Sequence, residues 1–348
     1  MKLLGTAVAT ACMLAASTAA MPTRAGAEEI TLRLHSFLAP VANPPKTFII
    51  PWINKINAAA KGKMKITGFW AMALGGKPEQ LIDQVRDGVV DIAWTVPGFT
   101  PGKMPRVEPF ELPFVHKDAL SSTLALQDFQ DKYLLNTDLK DFHPILMHVQ
   151  QGYLFQTKRP VLSMADLKGM KIRAASRAGV WFLEAVGAVG VGLPLPSIPQ
   201  ALSKGIIEGV LLPYEIAPAV KSQDLVSNFS TLAGPQSRLS TSVFAFVMNK
   251  KSYDSLPADM RKIIDDNSGR NIAKAAGQNW INIEKPGLAV MKSKKKNQFH
   301  VIPEAEVNKM REASKPVFDR WFAEVAKLGI DGPALLADAR AMIDKYSK

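Results

Sequence analysis

The chain has 348 residues, 47% hydrophobic and 21% charged, the balance of an ordinary soluble protein with room for one large or two medium domains. Its formal charge of +12 points to acidic partners, whether anionic solutes, membrane surfaces or nucleic acid. The densest basic run, Lys292-Ser-Lys-Lys-Lys296, has no interleaved aromatic residue and reads as a solvated loop, and no later segment offers the ~18–20 continuous apolar residues of a membrane span.

The first residues stand apart. Lys2 gives a short basic region, Leu3 to Ala20 an apolar run, and Ala25-Gly26-Ala27 a small-residue cleavage signal before Glu28, which together predict a secretory signal peptide over 1–27. The single cysteine, Cys12, lies inside it, in Ala9-Thr10-Ala11-Cys12, which lacks the leucine of a lipoprotein box. The exported chain would then be free of cysteine and held by its core alone. Without Lys2 and Arg24 its charge is +10, and export argues against nucleic acid as the partner.

After the signal, Ile30 to Leu34 alternates as a first strand ending at His35-Ser36-Phe37. A helix follows Pro44-Pro45, with Phe48, Ile49, Trp52, Ile53 and Ile56 at helical spacing. Gly62 to Thr67 makes a second strand, Gln80 to Asp87 a helix capped by Gly88, and Val89 to Thr95 a third strand. Ile145 to Val149 leads through Gln150-Gln151-Gly152-Tyr153 into a second half, and Thr241 to Met248 is a strand returning to the first. Leu256 to Lys292 reads as helical, interrupted near Pro286-Gly287; Phe299 to Ile302, a helix over Ser314 to Leu328 and a terminal helix from Gly332 complete the chain. Gly88-Val-Val-Asp91 is echoed by Gly205-Ile-Ile-Glu208. Each follows an amphipathic helix and opens a strand, which predicts two similar α/β lobes flanking one cleft, joined by a hinge.

The organising stretch is 166–215. Met170 to Ala174 alternates apolar and basic residues, so Met170 and Ile172 face one way and Lys171 and Arg173 the other. Small residues follow, then a helix over Gly179 to Val186 with Gly187 as its cap. Arg173 therefore sits at the carboxyl end of a strand, where open α/β sheets bind ligands, with a planar fork of donors suited to a carboxylate. On spacing alone a surface ion pair is the commoner use of such an Arg.

Asp166-Leu-Lys-Gly-Met-Lys-Ile-Arg173, followed by Gly187-Ala and Ala201-Leu-Ser-Lys-Gly-Ile-Ile-Glu-Gly209, resembles the DctP-like solute-binding component of tripartite ATP-independent periplasmic (TRAP) transporters. The Leu74-Gly turn, Gly88-Val-Val-Asp-Ile92 and Leu112-Pro-Phe114 extend the resemblance over nearly the whole mature chain. It implies an α/β, two-lobed periplasmic-binding-protein-like (type II) fold. Lobe one would comprise 28–150 plus about 236–255 and lobe two 151–235 plus about 256–348, with the long helix of about 256–292 bracing both. It further implies that Arg173 clamps the carboxylate of an organic acid, and that the partners are the small and large TRAP membrane subunits, driven by an ion gradient. A ligand-sensing protein that docks on a receptor ectodomain would share fold and ligand, so that alternative stays open.

No catalytic pattern is present: there is no Gly-x-Ser-x-Gly elbow, no His-Glu-x-x-His and no phosphate loop. The histidines are scattered, and no cofactor or metal is expected. Compared with the resembled family, the chain lacks a second Arg near Gln151–Tyr153 and carries Leu212 where an Asn is common. That makes the cleft less polar and favours a monocarboxylate with an apolar or aromatic body, although Arg177 keeps a dicarboxylate open. The candidate ligand-binding residues are Arg173, Trp94, Tyr214, His35, Gln151, Arg177, Thr95 and Leu212, in a periplasmic monomer.

Overall fold

The computed structural model describes residues 29–347; the expected signal peptide over 1–27, with Cys12, lies outside the described residues. In chain order the first lobe contains β1 (Ile30–Ser36), α1 (Ile50–Ala60), β2 (Met64–Phe69), α2 (Leu81–Arg86), β3 (Ile92–Thr95), a 3-10 run over Pro105–Glu111, α3 (Ala119–Phe129) and β4 (Phe142–Val149). The second lobe follows with β5 (Leu154–Thr157), a short α4 (Met164–Leu167), β6 (Lys171–Ala174), α5 (Arg177–Ala185), β7 (Val189–Gly192), α6 (Ile198–Ser203), β8 (Gly209–Leu212), α7 (Ser222–Leu225) and β9 (Asn228–Leu232). The chain then returns to lobe one as β10 (Val243–Asn249) and continues through α8 (Lys250–Asp254), α9 (Ala258–Asp266), α10 (Arg270–Asn282) and α11 (Glu284–Lys292). It ends with β11 (Gln298–Ile302), α12 (Glu304–Ala313), α13 (Lys315–Ala326) and α14 (Gly332–Tyr346).

Two sheets result, one per lobe. Their strand orders are β2-β1-β3-β10-β4 and β11-β9-β5-β8-β6-β7, the two-lobed α/β architecture expected from the paired glycine units. That echo is structural. Gly88 and Gly205 both take positive φ, 74° and 69°, which a residue with a Cβ adopts only under strain. Each ends a helix, and three residues later an acid anchors the next strand. Asp91 accepts from the Arg33 N–H at 2.8 Å, and Glu208 accepts from the Lys171 N–H at 3.2 Å. The strands open at Ile92 and Gly209 rather than at the glycines, because the intervening residues form these anchors.

Two segments cross between the lobes side by side. Tyr153 N–H donates to Ser240 O at 2.8 Å, Leu239 N–H to Tyr153 O at 3.1 Å, and the Thr241 hydroxyl to Gln150 O at 2.9 Å. The Tyr153 and Ser242 hydroxyls also bond to each other. Gly152 makes this approach possible: its φ is 107°, and a Cβ there would lie 2.9 Å from Ser240 O.

The predicted long helix is three helices. Its breaks fall at Asn267–Gly269 and at Ile283, not at Pro286-Gly287. Gly269 takes φ 53° and ψ −130°, and its N–H donates to Ile145 O at 2.7 Å, tying the first break to β4. Pro286 sits in the first turn of α11, where a missing N–H is tolerated. The terminal helix also departs from expectation. Lys117 and Lys345 pair with Asp344 and Asp128 at 2.5 and 2.8 Å, so α14 returns to pack on α3 of the first lobe, whereas β11 pairs with β9 of the second.

Candidate ligand-binding cleft

The carboxyl ends of β1, β3, β6 and β8 converge on one cavity between the lobes, of about 350 Å³ between atoms when its mouth is included. Lobe one contributes Phe37, Leu38, Pro44, Trp94, Val96, Phe99 and Phe244, and lobe two Arg173, Ala175, Leu195, Leu212, Glu215 and Ile216. Gln150, Tyr153 and Ser242 come from the crossing segments, so the hinge forms part of the wall. An apolar surround with a few convergent polar groups is the usual make-up of a small-molecule site.

Arg173 is the cavity's cation. Ile172 and Met170 are buried in the second lobe's core, so alternation turns the Arg173 side chain the other way, toward lobe one. It is 1% exposed. Its Nε donates to Leu193 O at 2.7 Å, which fixes the plane of the fork, and its two terminal nitrogens have no protein acceptor among the described residues. Burial lowers its pKa to about 10, with no carboxylate offsetting that cost. A buried guanidinium held in place by one backbone bond, with both terminal nitrogens unused, is arranged to take an anion.

The same cavity has an aromatic wall. Trp94 stacks on Phe244 at 4.6 Å and on Phe37 at 5.5 Å, with interplanar angles of 17° and 18°. Trp94 and Phe244 are diagonal neighbours across the β3–β10 pair. The Trp94 Nε1–H donates to His148 Nε2 at 2.9 Å, which leaves that nitrogen unprotonated. Burial pushes the His148 pKa down to about 3, so this ring is a neutral support for the wall.

Of the predicted site residues, the structure brings Arg173, Trp94 and Leu212 together. The other five stand off the wall, each for a visible reason. His35 is fully buried, its Nδ1 bonded to Gln84 Oε1 at 2.8 Å and its Nε2 accepting from the Leu74 N–H at 3.3 Å; it holds the loop after β2. Gln151 Oε1 accepts from the Ala119 N–H at 3.1 Å, at the start of α3. Thr95 is buried within β3. Tyr214 lies under Arg238, 5.6 Å from its ring centroid, and against Phe229. Arg177 is bound to Glu108 at 2.6 Å and lines a neighbouring hollow, so it is no second free cation. Glu108 also accepts from Trp321 Nε1 at 2.8 Å, and burial raises its pKa despite these donors.

Sequence reasoning did not single out Phe37, Phe244, Tyr153 or Glu215. Phe37 was within reach, since it directly follows β1, just as Trp94 lies near the end of β3. Glu215 carried a fainter signal, a lone acid closing the apolar run Val210-Leu-Leu-Pro-Tyr214. Among the described residues no cluster of three His, Cys, Asp or Glu side chains is placed to hold a metal ion, and no helix is long and apolar enough to cross a membrane.

Comparison with known proteins identifies the family and the fold. The family of bacterial extracellular solute-binding proteins, family 7 (DctP), matches residues 39–325. A TRAP solute-binding protein from Rhodoferax ferrireducens, solved with copurified benzoate, is 38% identical, with a TM-score of 0.88 over 91% of this chain and 98% of its own. A marine metagenome TRAP solute-binding protein specific for aromatic acid ligands, solved with 3-hydroxybenzoate, is 39% identical, with a TM-score of 0.89 over 92% and 99%. A Bordetella bronchiseptica relative with bound (R)- and (S)-mandelate is 26% identical, with a TM-score of 0.81 over 91% and 99%.

Proposed function

Since the chain belongs to the family-7 bacterial extracellular solute-binding proteins, the binding components of TRAP transporters, we propose that it captures an aromatic monocarboxylate between its lobes and delivers it to TRAP membrane subunits. The observation that carries the reading is Arg173: a buried cation with both terminal nitrogens unused, in a cavity also lined by the Phe37–Trp94–Phe244 stack. The carboxylate takes the fork in two parallel bonds, and the ring lies against the stack, where aromatic pairs contribute beyond the area they bury. Binding of aromatic acids by proteins 38% and 39% identical supports that ligand class.

A dicarboxylate is disfavoured by the same geometry. The second basic side chain near the motif, Arg177, is occupied by Glu108, and Leu212 adds apolar wall. The two crossing segments, hydrogen-bonded to each other and lining the cavity, couple occupancy to lobe closure. The closed, loaded form is then what the membrane subunits recognise. The family is one of solute binding for transport and not of enzymes, and the cleft residues are assigned no catalytic role.

A thermal-shift screen tests the ligand class. Benzoate, hydroxybenzoates and mandelate are expected to raise the melting temperature, and succinate and malate to leave it unchanged. Ligand at about 100 times its dissociation constant adds roughly 2.7 kcal/mol when only the folded chain binds it. A response to succinate with none to any aromatic acid overturns the proposal.

A further inference from the structure

Arg173 accounts for one end of the cavity, and a second ionisable group on its wall remains without a role. Glu215 follows β8 by three residues and is 2% exposed. Its Oε2 is fully buried and has no hydrogen-bond partner among the described residues. The neighbouring charges do not supply one. Arg238 donates to Glu284 at 2.8 Å, and the Glu215 backbone N–H donates to the other Glu284 oxygen at 2.9 Å, which places a second carboxylate behind the first. Arg173 forms no ion pair with Glu215 within 4 Å.

The segment is held firmly in this position. Asn43 of lobe one donates to Glu215 O at 2.6 Å. On the other side α11 packs so closely that a Cβ on Gly287 would lie 2.2 Å from Tyr214 O and 2.9 Å from Glu215 Cα. Burial first, then the neighbouring Glu284, raises the Glu215 pKa well above its ordinary value. The unpaired Oε2 can accept a hydrogen bond from a ligand in either protonation state, and the raised pKa favours the protonated form, which adds an O–H donor. A carboxyl kept neutral by an apolar site in order to hydrogen-bond a ligand is a known arrangement.

A buried polar atom left unpaired against an apolar ring is costly, and a ligand hydroxyl removes that cost. Sites built around such a bond discriminate strongly against analogues that lack the hydroxyl. Resting on the proposed function above, we infer that Glu215 is a specificity-determining residue that hydrogen-bonds a hydroxyl on the body of the bound acid, so that hydroxylated aromatic monocarboxylates are the preferred ligands. Arg173 grips the charged end; Glu215 reads the substituent.

Titration calorimetry with benzoate, 3-hydroxybenzoate and 4-hydroxybenzoate tests this on the wild-type chain, Glu215→Gln and Glu215→Leu. Gln preserves shape and a donor, so it stays informative if Leu fails to fold. The wild type is expected to bind one of the hydroxybenzoates at least tenfold more tightly than benzoate. Glu215→Leu is expected to reduce that ratio to threefold or less, and Glu215→Gln to retain a ratio between the two. A wild-type ratio below threefold for both hydroxybenzoates overturns the inference, as does a ratio that both variants leave unchanged; either result leaves the proposed function standing. Failure of the wild type to bind all three acids overturns both.

Discussion

Replacing Arg173 separates what the cation does for the ligand from what it does for the fold. In the empty protein the guanidinium is buried with a single backbone acceptor. Burial moves its pKa from the usual 12.5 to about 10, a penalty of roughly 3 kcal/mol for keeping the charge there. Arg173→Met removes that penalty, keeps much of the stem, and loses one hydrogen bond of about 1 kcal/mol. The empty variant is therefore expected to melt no lower than wild type. Ligand binding behaves in the opposite way, since truncating one partner of a buried charge pair costs about 2–5 kcal/mol. The dissociation constant for benzoate should rise by at least ~30-fold. Arg173→Lys restores charge without the fork and is expected to recover only part of the loss. Calorimetry gives the affinities, and thermal unfolding of the empty chains gives the stabilities. An Arg173→Met chain that is folded and binds benzoate within threefold of wild type refutes the reasoning.

Gly287→Ala is expected to lower both stability and affinity, although Ala is the better helix former by about 1 kcal/mol; its Cβ would lie 2.2 Å from Tyr214 O and force the Glu215 wall inward. Wild-type melting and affinity in this variant would show that α11 does not support the cleft. Glu111 is buried, its pKa pushed up to about 8 by burial first, against the hydrogen bond from the Val243 N–H. Its contribution to stability is full below its ordinary value of 4.5 and is lost as the pH rises through about 8. Glu111→Gln, neutral throughout, should therefore raise the melting temperature relative to wild type more at pH 9 than at pH 5, and equal differences at both would refute the assignment. Small-angle scattering is expected to show a more compact protein with saturating benzoate than without it, and identical curves would remove the hinge from the account.

How far the sequence carried can be judged residue by residue. Period-2 alternation over Met170–Ala174 gives the facing of Arg173, because strand facing depends only on local sequence, whereas its role as a carboxylate clamp is implied by the family resemblance alone. The paired units at Gly88 and Gly205 revealed the two lobes, because a positive-φ turn followed by an anchoring acid leaves its own residue pattern. The aromatic wall was only half legible. Trp94 ends a recognisable strand, but Phe244 becomes its neighbour through antiparallel pairing across some 150 residues, and register at that separation is set by the packed sheet. The positions of His35 and Gln151 in the sequence suggest ligand contact; their hydrogen bonds to Gln84, Leu74 and Ala119 depend on loops whose course the sequence does not state. The break at Gly269 is masked in the sequence by Pro286, a stronger helix-breaking signal that is harmless in the first turn of α11.

A crystal structure of the protein with benzoate tests the central claim most directly. The account predicts one benzoate between the lobes, its carboxylate oxygens within hydrogen-bonding distance of both Arg173 terminal nitrogens and its ring against Trp94 and Phe244. A benzoate whose carboxylate is held by another group, with the Arg173 fork still unpaired, would contradict it.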